Sequence, residues 1–275
     1  MSDSARDAVE RNFTDTILAL EDVTTHDPLA EPQAPASEAA LRAPVRPGSS
    51  LTGALCLDLF GAQLASRHLD IAARFLRSQG SGFYTIGSSG HEGNAGVAAA
   101  LRPTDPALLH YRSGAFYLAR AAMADPPRDG VRDVLLGLAA AAAEPIAGGR
   151  HKVLGHAALH VVPQTSTIAS HLPRAVGLAF TLGRAARLGL PTPWPSDAVV
   201  LASFGDASLN HSTAAGALNT AALCAYQRLP VPLLAVCEDN GFGISVRTPP
   251  GWVAAAAARH GIEYFHADGS DLAEV

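Results

Sequence analysis

Two polar clusters, each at the end of a short apolar run, carry the chemistry that this sequence can do. Gly205-Asp206-Ala207-Ser208 follows the run 198–204, and Glu238-Asp239-Asn240-Gly241-Phe242 follows the run 231–237. A carboxylate, an amide oxygen and a nearby main-chain carbonyl are hard donors that suit Mg²⁺, with the remaining positions open to water or a phosphate. For that chemistry the two clusters must face each other. Two apolar runs of strand length, flanking an Ala-rich stretch that begins near His211, read as a βαβ unit with buried parallel strands. Ligands of such units bind outside the carboxyl ends of the strands, where both clusters fall. Each cluster alone has a plainer reading, since aspartate after a strand caps helices and Asn-Gly is turn chemistry. Together, on adjoining strand ends, they favour one site.

Further elements are needed to hold these ends. A helical pattern covers 53–78, with Leu55, Leu59, Leu64, Ile71 and Phe75 assigned to one side. The Gly- and Ala-rich stretch 91–101 reads as a closely packed helix start, and further helices are expected over 113–124, 131–143 and 170–188. Residues 145–166, rich in Gly and His, read as a long loop of the kind that carries function. His156 and His160 stand four apart, but Gly155 argues against the helix that would pair them on zinc. After Asn240 the pattern predicts a helix over 252–260 and a short strand over 263–266. Residues 1–50, rich in Pro, Ala and Ser over 28–50, read as a flexible lead-in to a domain over 51–275.

Composition narrows the class. The 275 residues are enough for one large α/β domain with a substantial core. A formal net charge of −5 with scattered basic residues excludes a nucleic-acid surface from the expectations. Cys56, Cys224 and Cys237 are odd in number and lie in apolar surroundings, as small hydrophobes do in a reducing compartment. The N-terminal MSDSARDAVERNF lacks the pattern of a secretion signal, and Glu144-Pro145 closes the longest Ala-rich run short of membrane-spanning length. The expected location is cytoplasmic, with no membrane partner.

The segment from Ala198 to Ser245 resembles the thiamine diphosphate motif, which opens with Gly-Asp-Gly and closes with Asn-Asn. More narrowly, it is similar to the alpha-type half of the decarboxylating component of 2-oxo acid dehydrogenase complexes. Gly205-Asp206-Ala207 and Glu238-Asp239-Asn240 stand at the motif positions, Ala207 and Asp239 being the departures. The resemblance extends over roughly residues 75–275. GSGFYTIGSSGHEGNAGVAAAL resembles the family's substrate-channel segment, HYRSG at 110–114 its Tyr-Arg pair, and PQTSTIASHLPRAVG at 163–177 the loop preceding a helix near the cofactor.

The resemblance implies an α/β thiamine diphosphate-binding fold, a parallel sheet with helices on both faces. It implies Mg²⁺ held by Asp206, Asn240 and the carbonyl of Phe242, within a cofactor cradle that includes Gly205, Ala207 and Ser208. Tyr111 and Arg112 fall at the diphosphate, where a forked guanidinium suits phosphate oxygens. Ser166 and Ile168 fall beside the cofactor's rings, and His91 and His110 near the substrate. Relatives hold K⁺ beside the 163–177 loop; Thr165, Ser170 and His171 occupy the corresponding places, with His171 replacing an amide. Ser170 reads equally well as a helix N-cap.

The implied activity is oxidative decarboxylation of a 2-oxo acid, branched-chain acids slightly favoured over pyruvate, with acyl transfer to the lipoyl group of a partner acyltransferase. The family's activating glutamate belongs to a beta-type subunit or fused second half, and its His-His-Ser-Thr loop lies downstream of the position matching 268–271. Neither occurs in this sequence, so the expectation is a domain truncated at its C-terminal end, inactive alone, in a heterotetramer or fused dimer. Two other functions stay open. One is a transketolase-like or acetoin-cleaving thiamine enzyme; the other is a nucleotide-binding or non-catalytic assembly module. Against the latter, no Gly-x-Gly-x-x-Gly turn or Gly-Lys-Ser/Thr loop is present.

Overall fold

The apolar runs do become adjacent strands. In the structure, a computed structural model that describes residues 11, 37–83, 85–146, 148, 154–243 and 246–275, the chain divides into two compact units, 1–55 and 56–275. In the first, helix α1 (Glu38–Arg42) is capped by Ser37, whose hydroxyl accepts from Ala40 N at 3.2 Å. Pro44 and Thr52 form an antiparallel bridge. This local order falls within a stretch read from composition as flexible lead-in; the rest of that lead-in, apart from residue 11, lies outside the described residues.

The second unit is built on a parallel sheet in the order β1-β2-β3, namely Ala107–Leu108, Val200–Gly205 and Leu233–Glu238. The β2–β3 register runs from Val200 opposite Leu233 to Gly205 opposite Glu238. Helix α2 (Gly53–Ser78) has the expected bounds. It is followed by α3 (Asn94–Ala100), α4 (Gly114–Met123), α5 (Gly130–Leu138), α6 (Leu172–Arg187), α7 (Ser212–Tyr226) and α8 (Trp252–Ala257).

Alternation along β2 shows why both of its faces are covered. Val200, Ala202 and Phe204 join Leu172, Ala175, Val176 and Ala179 of α6 and Ala214 and Ala217 of α7 in one buried cluster. Small residues on those helices allow close approach to the sheet. Ser203 points the other way, to His110 and Ser113. The start of β2 is tied to the segment before β1, where Val199 N donates to the Asp105 carboxylate at 3.0 Å. Arg120, fully buried, donates through Nη1 to the carbonyls of Pro103, Asp105 and Leu159. These bonds fix the loops on either side of β1.

Several sequence expectations are corrected. Of the five residues assigned to one side of α2 only Leu59 is buried: Leu55 and Leu64 are half-buried, Ile71 is exposed and Phe75 is 62% exposed, while Ala62, Ser66, Leu69, Asp70 and Ala73 complete the buried set. Helix α5 stops at Leu138, five residues early, because Ala140 turns to φ 49° and Ala141 N closes back on Leu136 O. β3 is an edge strand among the described residues, only partly buried. Residues 263–266 form no strand, and Phe265 is 83% exposed. Two short strands were not anticipated, β4 (Phe242–Gly243) and β5 (Val246–Arg247), paired antiparallel, with β4 opening on the last residue of the second polar cluster.

Leu201, fully buried in β2, supplies a stability test. Leu201→Ala should cost about 2–5 kcal/mol through lost burial and a residual cavity. Urea unfolding monitored by circular dichroism measures this, and a loss below about 1 kcal/mol would contradict the packing described.

Candidate functional site

The β2–β3 register brings the two polar clusters side by side. Asp206 opens a 3₁₀ turn, Asp206–Asn210, directly after β2. The Asn240-Gly241 turn follows β3, with Gly241 at φ 71°. Asp239 Oδ1 accepts from Gly241 N at 3.2 Å and Asn240 Oδ1 from Phe242 N at 3.0 Å, which shapes this turn. β4 then packs on the 206–210 turn. A Cβ on Gly243 would collide with that of Ala207, so only glycine admits this approach.

Asp206 is 1% exposed, and its Oδ2 has no hydrogen-bond partner. A buried carboxylate oxygen left in this state is costly unless a cation meets it. The donor set of Asp206 carboxylate, Asn240 amide oxygen and Phe242 carbonyl suits a hard divalent ion. Asn240 is exposed, with its Nδ2 beside Gly90, so this residue lies at a solvent-accessible edge of the site.

The histidines assemble beside this centre. His91 and His110 are buried and stack with ring centroids 4.8 Å apart and planes within 6°. Tyr111 leans on His110 at 4.0 Å. His110 Nδ1 accepts from Arg112 N at 3.3 Å, which leaves the ring proton on Nε2, the atom nearest Gly205. Burial, reinforced by nearby His91, Arg112 and His171, pushes His110 down to about 2. His171 is also lowered, chiefly by burial, although its Nε2 donates to Ser203 O at 2.7 Å. His171, not Ser170, occupies the N-cap position of α6, and the Ser170 hydroxyl donates to Thr167 O.

Arg112 spends one Nη1 bond on Gly87 O at 2.6 Å, and its guanidinium lies 5.4 Å from the Tyr111 ring centroid. Gly205 and Ala207 are half-buried, whereas Ser208 is buried in the turn. In the 163–171 loop Ser166 is half-buried and Ile168 is exposed. Neither hydrogen-bonds to the Asp206 turn among the described residues. The loop reaches the same strand through His171.

Sequence reasoning left out Asn94 and Ser203 and took Glu238 only as a motif position. Glu238, the last residue of β3, accepts from Asn94 Nδ2 at 3.3 Å and lies 3.6 Å from His91 Nδ1. Asn94 also accepts from Phe116 N at 2.8 Å, joining α3 to α4. Ser203 receives His110 N at 2.9 Å and contacts the Ser113 hydroxyl at 3.0 Å. Ser203 was discoverable as the lone polar residue inside an apolar run; the Asn94–Glu238 pair, far apart in sequence, offered no local signal.

Comparison with known proteins places the chain in a family. The family model for the dehydrogenase E1 component matches residues 62–275, and the chain belongs to that family. Curated relatives include the mitochondrial 2-oxoisovalerate dehydrogenase subunit alpha of Caenorhabditis elegans, 26% identical over 217 residues, covering 75% of this chain and 46% of that protein. The Bos taurus counterpart is 26% identical over 201 residues, covering 70% and 39%. The Mus musculus counterpart is 28% identical over 117 residues, covering 41% and 23%. The chain thus spans less than half the length of these relatives. Family and parallel-sheet architecture agree with the α/β resemblance read from the motifs.

The lowered His110 sets a pH dependence. The folded protein keeps this ring neutral down to about pH 2, whereas the unfolded chain protonates it below about 6.5. The unfolded state therefore binds more protons across that window, so stability rises with pH through it and levels off above. His171 adds with the same sign. Melting temperature should fall between pH 7 and pH 5 in the wild type, and fall less in His110→Gln. Equal pH slopes in the two proteins would contradict the buried, neutral assignment.

Proposed function

We propose that this chain is the cofactor-holding, alpha-type part of a thiamine diphosphate-dependent component that decarboxylates a 2-oxo acid. The observation that carries the reading is the unpartnered, buried carboxylate oxygen of Asp206 beside the Asn240–Phe242 turn. Asp206, Asn240 and the Phe242 carbonyl would hold Mg²⁺. Arg112, already oriented by Gly87 O, would bind the diphosphate with Tyr111 beside it, and Ser166 and Ile168 would border the rings. When bound, thiamine diphosphate supplies the nucleophilic carbon and the electron sink for loss of carbon dioxide. The chain supplies position and charge. Neutral His110 offers its Nε2 proton as a hydrogen-bond donor, and His91 is set by stacking against it.

The named relatives act on 2-oxoisovalerate, a branched-chain acid, and this supports branched-chain substrates over pyruvate. They are called alpha subunits, which supports a beta-type subunit or fused half that completes the site. Acyl transfer to a lipoyl-bearing acyltransferase is part of the same proposal. K⁺ is left out of the assigned cofactors, because His171 is engaged with Ser203 O in place of the expected amide.

Binding is the first test. Thiamine diphosphate with Mg²⁺ should raise the melting temperature of the wild type, by the equivalent of about 2.7 kcal/mol at a hundredfold excess over Kd. NAD or ATP should not. In Asp206→Ala the shift should vanish while the unliganded protein stays at least as stable, since a buried oxygen without a partner has been removed. Retained cofactor affinity in that variant would sink the metal assignment.

Activity is the second test. Together with a beta-type polypeptide, the chain should reduce an artificial acceptor with 2-oxo acids, fastest with branched-chain ones; alone it should release no carbon dioxide. Arg112→Lys should lower cofactor affinity despite the retained charge, because an ammonium cannot reproduce the fork. Unchanged affinity would remove Arg112 from the diphosphate.

A further inference from the structure

The segment 87–92, Gly-Ser-Ser-Gly-His-Glu, carries His91 and the carbonyl that orients Arg112, yet it contains no helix or strand. One face of α2 holds it. Gln63, Arg67 and Asp70, spaced as neighbours on a helix surface, all reach this loop or each other. Asp70 is 6% exposed and accepts Ser88 N on both oxygens, at 3.0 and 2.9 Å, and the Ser88 hydroxyl at 2.9 Å. Its charge is met by Arg67 Nη1 at 2.8 Å. Gln63 Nε2 donates to Glu92 O at 3.1 Å. The Glu92 carboxylate takes Gly90 N at 2.8 Å and the Ser88 hydroxyl at 3.3 Å, with Arg67 Nε at 3.5 Å. A Cβ on Gly87 would run into the Asp70 carboxyl group, so the backbone approaches it more closely than any side chain allows.

We propose that Asp70 is a positioning residue, which sets the shape of the 87–92 loop so that His91 lies flat on His110 and Gly87 O aims Arg112. The catalytic consequence rests on the functional reading above; the geometric role does not. A buried carboxylate is suited to the task because it accepts several bonds at once, and a loop without its own ladder needs its main-chain donors met. Asp70→Asn keeps the volume but turns an NH₂ toward donors, leaving Ser88 and Arg67 with opposing partners.

The test uses the full chain with ¹⁵N-labelled histidine. In Asp70→Asn the ring signals of His91 and His110 should move, since their stacking is disturbed, while those of His211, the N-cap residue of α7, stay put. Ser88→Ala, which loses only the hydroxyl bonds, should move the same two signals less. Affinity for thiamine diphosphate with Mg²⁺ should fall roughly 10–100-fold in Asp70→Asn, as for other residues that orient a ligand-binding group. A folded Asp70→Asn with wild-type histidine signals would overturn the proposal. If that variant does not fold, unmoved signals in Ser88→Ala would do so instead. A wild type that binds no thiamine diphosphate would refute the functional reading, and the histidine spectra would still decide the role of Asp70.

Discussion

The β2–β3 pairing is the constraint on which the site depends. Its six-residue register ends with Gly205 opposite Glu238, so each strand delivers its polar cluster at the same level. A slip of one residue would send every side chain of β2 to the opposite face. Ser203 would leave His110 and Ser113, and Phe204 would leave the cluster formed with α6 and α7. The hydrophobic packing that selects the register therefore also selects the geometry of the chemistry. Asp206 needs no further device to be placed, since it is the next residue along the chain.

Legibility in the sequence followed the range of the interactions. The bounds of α2 and the positions of β2 and β3 depend on long periodic or continuous apolar patterns, and they were readable. The two-residue strands β1, β4 and β5 owe their existence to pairing with distant or folded-back segments, which no local pattern announces. The buried face of α2 was misread for a different reason. Large apolar residues are the usual guide to burial, but this face buries Ala62, Ser66 and Asp70 while Phe75 remains largely exposed. Asp70 is inside because Arg67 and Ser88 meet it, a partnership that periodicity does not encode.

The same division holds within the site. Asp206 and Asn240 were legible because polar residues directly after apolar strands stand out, and their types suggest one chemistry. Arg112, Ser166 and Ile168 entered through family resemblance alone, since an isolated arginine or serine has many ordinary roles. Glu238 was visible within the motif, but its contacts with Asn94 and His91 emerge only once α3 packs near the end of β3. Ala207 shows how a departure from the motif is absorbed. Its methyl occupies the space against β4 that Gly243 leaves open, so one small residue compensates for another.

The electrostatics of the site explain why its histidines and carboxylates can share so little solvent. Three imidazoles lie close to the ends of β2 and β3, those of His91 and His110 stacked and that of His171 bonded to Ser203 O. Burial holds His110 and His171 neutral, so they do not serve as counter-ions to the carboxylates around them. Asp206 Oδ2 and Glu238 Oε2 are both left without hydrogen-bond partners. Unmet carboxylate oxygens beside neutral His110 and His171 would suit a cation better than a directly bound anion. On the reading proposed above, a divalent ion at Asp206 would reverse the local sign and draw a diphosphate to the ends of β2 and β3.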